Sequence, residues 1–199
     1  MTDSHHPLPD PRTDGPLSVE AAIAQRRSVR AFDGSELTQE EIGQLLWSMQ
    51  GITGERASRR AAPSAGGCHP LIVYVCQDDG VWRYEPQSHA LTQHHEEDRR
   101  DALARAALGQ SFLAQAPAVF VVSAVFARTT NRYGDRGKVR YVPMDVGHAA
   151  ENLLLQAVAL GLAGVPVGAF DDDGIRQVLA LPAEEEPLYL LPIGHPRER

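Results

Sequence analysis

Leu71-Ile72-Val73-Tyr74-Val75-Cys76, then Asp79-Gly80, then Val81-Trp82-Arg83-Tyr84, is the stretch on which the fold turns. β-Branched and aromatic residues dominate both runs, so each reads as a strand. Asp-Gly between them is a turn signal, so the two strands pair as an antiparallel hairpin. Elsewhere strands and helices alternate. A hairpin inside that alternation points to an α+β layer with a mixed or mainly antiparallel sheet, not a doubly wound parallel one.

Upstream of the hairpin, Ser18 is placed to cap a short helix over Val19–Gln25. Asp33-Gly34 is a turn, and Thr38-Gln39-Glu40-Glu41 has the form of a capping box. Behind it Ile42, Leu45, Leu46 and Met49 share one helical face, which Gly51 ends. Residues 52–70 are loop-like and contain the small-residue run Pro63-Ser64-Ala65-Gly66-Gly67. Downstream, a third short strand is expected near Ala90-Leu91, a helix over Arg99–Leu108 and a strand over Ala118–Val125. Residues 128–140 are polar and basic around Gly134 and Gly137, and are expected to form a mobile loop. A long helix follows over Asp145–Leu160, striped by Val146, Ala149, Ala150, Leu153, Leu154, Ala157 and Leu160. Val165–Phe170 reads as a strand, Asp172 as the cap of a helix to Leu181, and Pro187–Ile193 as the last strand.

The 199 residues suit one domain, expected over 18–199, with residues 1–17 a polar, Pro-rich tail that is disordered or extended. That tail has no apolar core, so it is not a secretory signal, and no 18-residue apolar run suggests a membrane span. Cys68 and Cys76 are the two cysteines and form no CxxC pair, which suits a reducing compartment; the expected location is the cytoplasm. Lys and Arg total 19 against 26 Asp and Glu, a net charge of -7, which argues against a nucleic-acid partner.

Against that acidic background stands Arg26-Arg27-Ser28-Val29-Arg30. It is either a solvated patch closing a helix or a seat for a specific anion. Guanidinium groups match a phosphate in bidentate fashion, and the Ser28 hydroxyl adds a neutral donor. The helix C-terminus carries partial negative charge, so its dipole favours the arginines and cannot attract a phosphate. Glycines in Pro63–Gly67 let backbone approach a flat or anionic ligand closely, or simply make a turn; neither a Walker loop nor a GxGxxG fingerprint is present. The small residues of Val165–Phe170 suit either a ligand against the strand end or a tight packing terminus. Tyr133, Arg136 and Arg140-Tyr141 are able to position or protonate a substrate, or to form a solvated basic loop. His94-His95 beside Glu96-Glu97, and His148 near Asp145, lack metal-ligand spacing, so no metal is expected. Asp171-Asp172-Asp173 and Glu184-Glu185-Glu186 read as a helix N-terminus and a solvated turn. No GxSxG elbow exists and nothing marks Cys68 as a nucleophile, so hydrolase chemistry has no support.

The order of these segments is more specific than any one of them. RRSVRAF (26–32), PSAGGCHPLIVYV (63–75), DVGHAAENLLLQAVALGLAG (145–164), VPVGAF (165–170) and PLYLLPIG (187–194) together resemble the nitroreductase-like flavoprotein superfamily over Val19 to Gly194. In motif form they look most like the branch containing the azoline dehydrogenases of thiazole and oxazole peptide biosynthesis. SAGG stands where many nitroreductases carry an Asn-containing loop, and Gly147-His148 with Asn152 point the same way.

The resemblance implies an α+β fold, a central mainly antiparallel sheet flanked by helices, in an intertwined homodimer with FMN at the subunit interface. It assigns Arg26, Ser28 and Arg30 to the FMN phosphate with Arg27 nearby. Pro63, Ser64, Ala65, Gly66 and Gly67 would lie along the flavin and ribityl chain, and Pro166, Val167, Gly168 and Ala169 beside the isoalloxazine. Three departures stand out. Gly67 occupies the position of a flavin-binding Asn, Gly168 that of the Glu in a Glu-Gly pair, and the chain runs only five residues past Gly194, where relatives often supply a basic residue; Arg197 or Arg199 is the local substitute. The implied activity is hydride transfer from NADH or NADPH to FMN and then to a nitro, quinone or similar small acceptor, by a ping-pong cycle. Tyr133 and Arg140 are the catalytic candidates. Two alternatives remain open: an FMN-dependent dehydrogenase or oxidase acting on an azoline-type substrate, and a flavin-binding protein without turnover.

Overall fold

In the computed structural model, which describes residues 5–54 and 59–197, seven strands make one sheet. They are β1 (His5–Pro7), β2 (Leu71–Gln77), β3 (Gly80–Glu85), β4 (Ala90–His95), β5 (Ala118–Val125), β6 (Ala163–Gly164) and β7 (Glu185–Gly194), in spatial order β1-β4-β3-β2-β5-β7-β6. Every ladder between them is antiparallel. Seven helices accompany the sheet: α1 (Val19–Gln25), α2 (Gln39–Gln50), α3 (Arg100–Ala106), α4 (Phe112–Gln115), α5 (Ala127–Tyr133), α6 (Val142–Ala159) and α7 (Asp172–Val178).

The hairpin fixes the register. Tyr74 lies opposite Arg83 and Gln77 opposite Gly80, and β2 continues its alternation against β5, Leu71 with Ala124 through Cys76 with Val119. Both faces of β2 are buried, because helices cover the sheet on each side. Val73, Val75, Phe120, Val122 and Leu191 pack with α2 and α6, whereas Ile72, Tyr74, Val119, Val121 and Leu190 pack with α3, α4 and α7. Ser18 caps α1 through Ala21 N–H, and Thr38 and Glu41 form the full capping box of α2. Gly161, at φ +76°, follows the end of α6.

Four expectations are corrected. Part of the N-terminal tail is built into the fold: His5–Pro7 pair with β4, Leu8 is buried, and His89 Nε2 lies 2.9 Å from Pro9 O. The pairing is made by backbone and an edge strand tolerates Pro7, so no side-chain pattern announced it. The loop expected over 128–140 is helix α5 followed by a π-turn over Gly137–Tyr141. Most of its side chains face solvent, which gives a helix the composition of a loop. The strand expected over Val165–Phe170 reduces to one bridge, Val167 with Leu190, because Pro166 has no N–H to continue the ladder. Glu184–Glu186 is not a solvated turn: β7 begins at Glu185, whose buried carboxylate accepts hydrogen bonds from Tyr74 Oη (3.0 Å) and Ser123 Oγ (2.7 Å).

Candidate active site

The basic segment follows α1, and its backbone is fixed to the sheet edge. Ser28 bridges Gly164 in parallel, and Val29 N–H donates to Gly164 O at 3.0 Å. Gly164 is required here, since a Cβ would strike Ile193 Cδ1 and the Pro192 carbonyl oxygen. The four polar side chains then divide. Arg27 turns back on its own helix, with Nη1 donating to Ala24 O (2.9 Å) and Arg26 O (2.7 Å), the carbonyls a helix C-terminus leaves free. Arg26 reaches α6, its Nε 3.3 Å from Glu151 Oε1. Arg30 lies over the Phe112 ring with Cζ 5.6 Å from the centroid. Ser28 and Arg30 are both exposed. Helix closure thus accounts for Arg27, while Ser28 and Arg30 face outward with no carboxylate partner among the described residues.

Pro166 to Ala169 follow Gly164, the residue to which this segment is tied. Val167 is held by reciprocal bonds with Leu190 (2.8 and 3.0 Å), and Ala169 O accepts from Gln110 Nε2 (2.8 Å), two residues before the Phe112 that lies under Arg30. At Gly168 the nearest atom to an added Cβ is Tyr189 Cε2 at 3.7 Å, so the missing Glu leaves ordinary space. The chain's end returns to the same edge: Phe32 bridges Pro196, and Arg197 N–H donates to Ala31 O at 3.1 Å. Arg197 is therefore a neighbour of the cluster; Arg199 lies outside the described residues.

The small-residue loop is a second, separate element. Ala65–Gly67 make one 3-10 turn, with Gly66 at φ +62° and Gly67 at φ +67°. Asp145, buried in the first turn of α6, holds it: Ser64 Oγ donates to Oδ2 at 2.6 Å and Ala65 N–H lies 3.4 Å from Oδ1. Burial raises the Asp145 pKa, opposed by the bonds from Ser64 and Ala65. Ser64 Oγ also accepts from His69 N–H (3.0 Å), which closes the loop. Gly67 N–H donates to Ser64 O, so this amide is used inside the turn and does not replace an Asn side chain.

Helix α5 covers the loop from the other side. Arg132 Nη1 donates to Gly66 O (3.2 Å), Arg128 Nη1 to His69 O (3.1 Å), and a Cβ at Gly66 would sit 2.5 Å from Tyr133 Oη. Tyr133 thus belongs to the loop, with its ring edge-on to Tyr141 at 5.0 Å. Arg140 is exposed on the π-turn and is not joined to the loop. The structure therefore makes two groups of the residues read from the sequence: 26–30 with 164–169, and 63–67 with Tyr133. Helix α6 links them, touching the first at Glu151 and the second at Asp145, about 9 Å apart at 1.5 Å per residue. Asp145, Arg132 and Gln110 were missed in the sequence. Asp145 alone carried a signal, as a carboxylate opening a long helix.

The residues suit a flavin mononucleotide. Outward Ser28 and Arg30 offer a hydroxyl and a fixed cation to a phosphate, and two adjacent left-handed glycines strip one face of the loop of side chains.

Fold and site together define an α+β protein of nitroreductase architecture. The Nitroreductase family model matches residues 23–195, and the chain belongs to that family. It is 43% identical over 184 residues to MJ1384 of Methanocaldococcus jannaschii, a nitroreductase by name, covering 89% of this chain and 91% of the relative. It is 24% identical to the "FMN reductase [NAD(P)H]" of Bacillus subtilis, covering 91% of this chain and 67% of that protein. A crystal structure from Ralstonia eutropha, also a nitroreductase by name, superposes with a TM-score of 0.87 at 28% identity, covering 98% of this chain and 90% of that one. Family membership places the protein among the oxidoreductases.

Proposed function

We propose that the protein is an FMN-dependent oxidoreductase that takes a hydride from NADH or NADPH and passes it to a small nitro, quinone or similar acceptor in a ping-pong cycle. The carrying observation is the pairing of Ser28 and Val29 with Gly164, which ties the segment bearing outward Ser28 and Arg30 to the stretch that leads into Pro166–Ala169. Relatives named as a nitroreductase and as an FMN reductase support the reading. FMN, when bound, supplies the two-electron chemistry. Ser28 and Arg30 would hold its phosphate, with Arg26 joining them by exchanging Glu151. Pro63 to Gly67 and Pro166 to Ala169 would line its ring system, and Asp145 would keep the first of these loops in place. Tyr133 is the group set to orient or protonate an acceptor at that loop. Arg140, exposed on the π-turn that follows α5, is the second candidate for that task.

The protein acts as a homodimer in this proposal, in the cytoplasm. Among the described residues no helix is long and apolar enough to cross a membrane. Val19 and Ile23 on α1 and Met144 on α6 are exposed apolar side chains on two helices that Arg26 and Glu151 connect. Such a face suits a second copy of the chain.

The test is direct. The apoprotein takes up FMN, the yellow complex bleaches on anaerobic addition of NADH or NADPH, and a nitroarene or quinone restores the colour. A charge-assisted phosphate contact is worth roughly 1.5–3 kcal/mol, so Arg30→Ala weakens FMN binding at least tenfold. A protein that takes up no FMN, or an Arg30→Ala variant that binds it unchanged, defeats the reading.

A further inference from the structure

Strands β2 and β3 part company at one end of the sheet. Their ladder begins at Tyr74 opposite Arg83, so Leu71, Ile72 and Val73 have no β3 partner there. The gap is a cleft of about 140 Å³, walled by those three residues and by Arg60, Arg83 and Arg128. At roughly 30 Å³ per water molecule, it has room for a group of a few heavy atoms. Neither the flavin loop nor the 26–30 segment lines it.

Two guanidinium groups, those of Arg60 and Arg128, act on each other there, and Arg83 lines the cleft from the other face of the sheet, paired with Glu85. Glu85 Oε1 lies 3.2 Å from Arg83 Nη1, and Arg60 Nη1 donates to the neutral Gln50 Oε1 at 3.2 Å. Arg128 spends one Nη1 hydrogen on His69 O. The Nε atoms of Arg60 and Arg83 are buried and have no hydrogen-bond partner among the described residues. Burial, and then the charge of Arg128, lower the Arg60 pKa. Buried donors without acceptors and like charges brought together are both unfavourable, and one oxyanion relieves both. The positions are fixed by backbone: Arg60 sits in a bridge with Ile52, Arg83 in the β3 ladder and Arg128 on α5.

We propose that this notch is a binding site for a small oxyanion, the phosphate or carboxylate group of a small molecule, gripped by Arg60 and Arg128. Planar guanidinium forks suit both groups. The site does not rest on the flavin reading, since it shares no lining residue with the residues proposed to hold FMN. Arg128 links the two places, because its other contact is the carbonyl that ends the loop at His69.

The test uses FMN-saturated protein, so that any phosphate seat near Ser28 is filled. Inorganic phosphate and acetate are titrated separately at constant ionic strength against chloride, and the thermal midpoint is read. A saturable rise with phosphate above acetate assigns the site to phosphate-bearing ligands; the reverse order assigns it to carboxylates. Arg60→Gln weakens the response at least tenfold while FMN affinity stays unchanged. Arg128→Lys keeps the charge but loses the fork, and also weakens it should Arg60→Gln fail to fold. The proposal fails if neither anion exceeds chloride, or if the folded variants respond as the parent does.

Discussion

Asp145 shows how one side chain serves both stability and the site. Its carboxylate accepts from Ser64 Oγ and faces Ala65 N–H, and this is what turns a small-residue run into a fixed loop. The same burial raises its pKa in the folded protein. A folded state that holds the proton more tightly loses stability, relative to the unfolded chain, as pH rises through the interval from roughly 3.9 to the raised value. The ionised Asp145 therefore costs stability at neutral pH that the protonated form does not. Asp145→Asn removes this titration. Urea unfolding of both proteins between about pH 4 and pH 7 is expected to show the stability difference moving in favour of the variant as pH rises. Asn offers one acceptor where Asp offers two, so the variant also binds FMN more weakly at every pH. A difference that stays flat with pH would contradict the titration.

At the scale of elements, the edge formed by β6 and β7 joins core to site. Ala163 lies opposite Gly194 and Gly164 opposite Ile193, and the Gly164 carbonyl then receives Val29 N–H. Adding one methyl, Gly164→Ala, sets a Cβ against Ile193 Cδ1 and Pro192 O. The backbone oxygen cannot step aside, so overpacking costs about 1–3 kcal/mol. The expected outcome is a lower urea midpoint together with weaker FMN binding, because Ser28 and Val29 must shift with the strand. A variant destabilised to this extent with FMN affinity intact would separate the edge from the site. Elements with local signals were legible in the sequence. The Thr38 capping box and the Asp79-Gly80 turn place their own boundaries, and the stripe of α6 marks the helix, which starts at Val142, three residues before the expected Asp145. What escaped depends on distant partners. β1 is paired by backbone to β4, α5 disguises a helix as a basic loop, and Glu185 is hidden in a run of three glutamates. The site divides the same way. The 26–30 cluster was visible as charge, but that Arg27 caps its own helix while Ser28 joins Gly164 is tertiary information. Tyr133 was visible as a phenol, and only the fold sets it over Gly66.

For the whole molecule, the short helix α1 and the long helix α6 each leave apolar side chains exposed. Val19 and Ile23 stand 66% and 58% exposed, one turn apart on α1, and Met144 is 51% exposed on α6. Gly147, one turn beyond Met144, has nothing within 4 Å of an added Cβ, so a partner helix is free to approach α6 closely there. Arg26 and Glu151 tie α1 to α6 beside this face, which brings the proposed phosphate seat to its border. Association through it would bury the exposed apolar side chains and remove water from Ser28 and Arg30, strengthening their hold on a phosphate. Net charge alone opposes it, since each copy carries -7. A dimer is therefore expected to tighten with added salt, while an association driven by ion pairs would loosen. Ile23→Glu places a charge among these side chains without touching the core, because Ile23 is exposed in the single chain. Sedimentation equilibrium is expected to give a dimer for the parent and a monomer for Ile23→Glu, with an unchanged far-ultraviolet circular dichroism spectrum. FMN titration of the two then reads the coupling. At least tenfold weaker binding by the monomer means that the second copy helps form the site; equal affinity would place the whole flavin site within one chain.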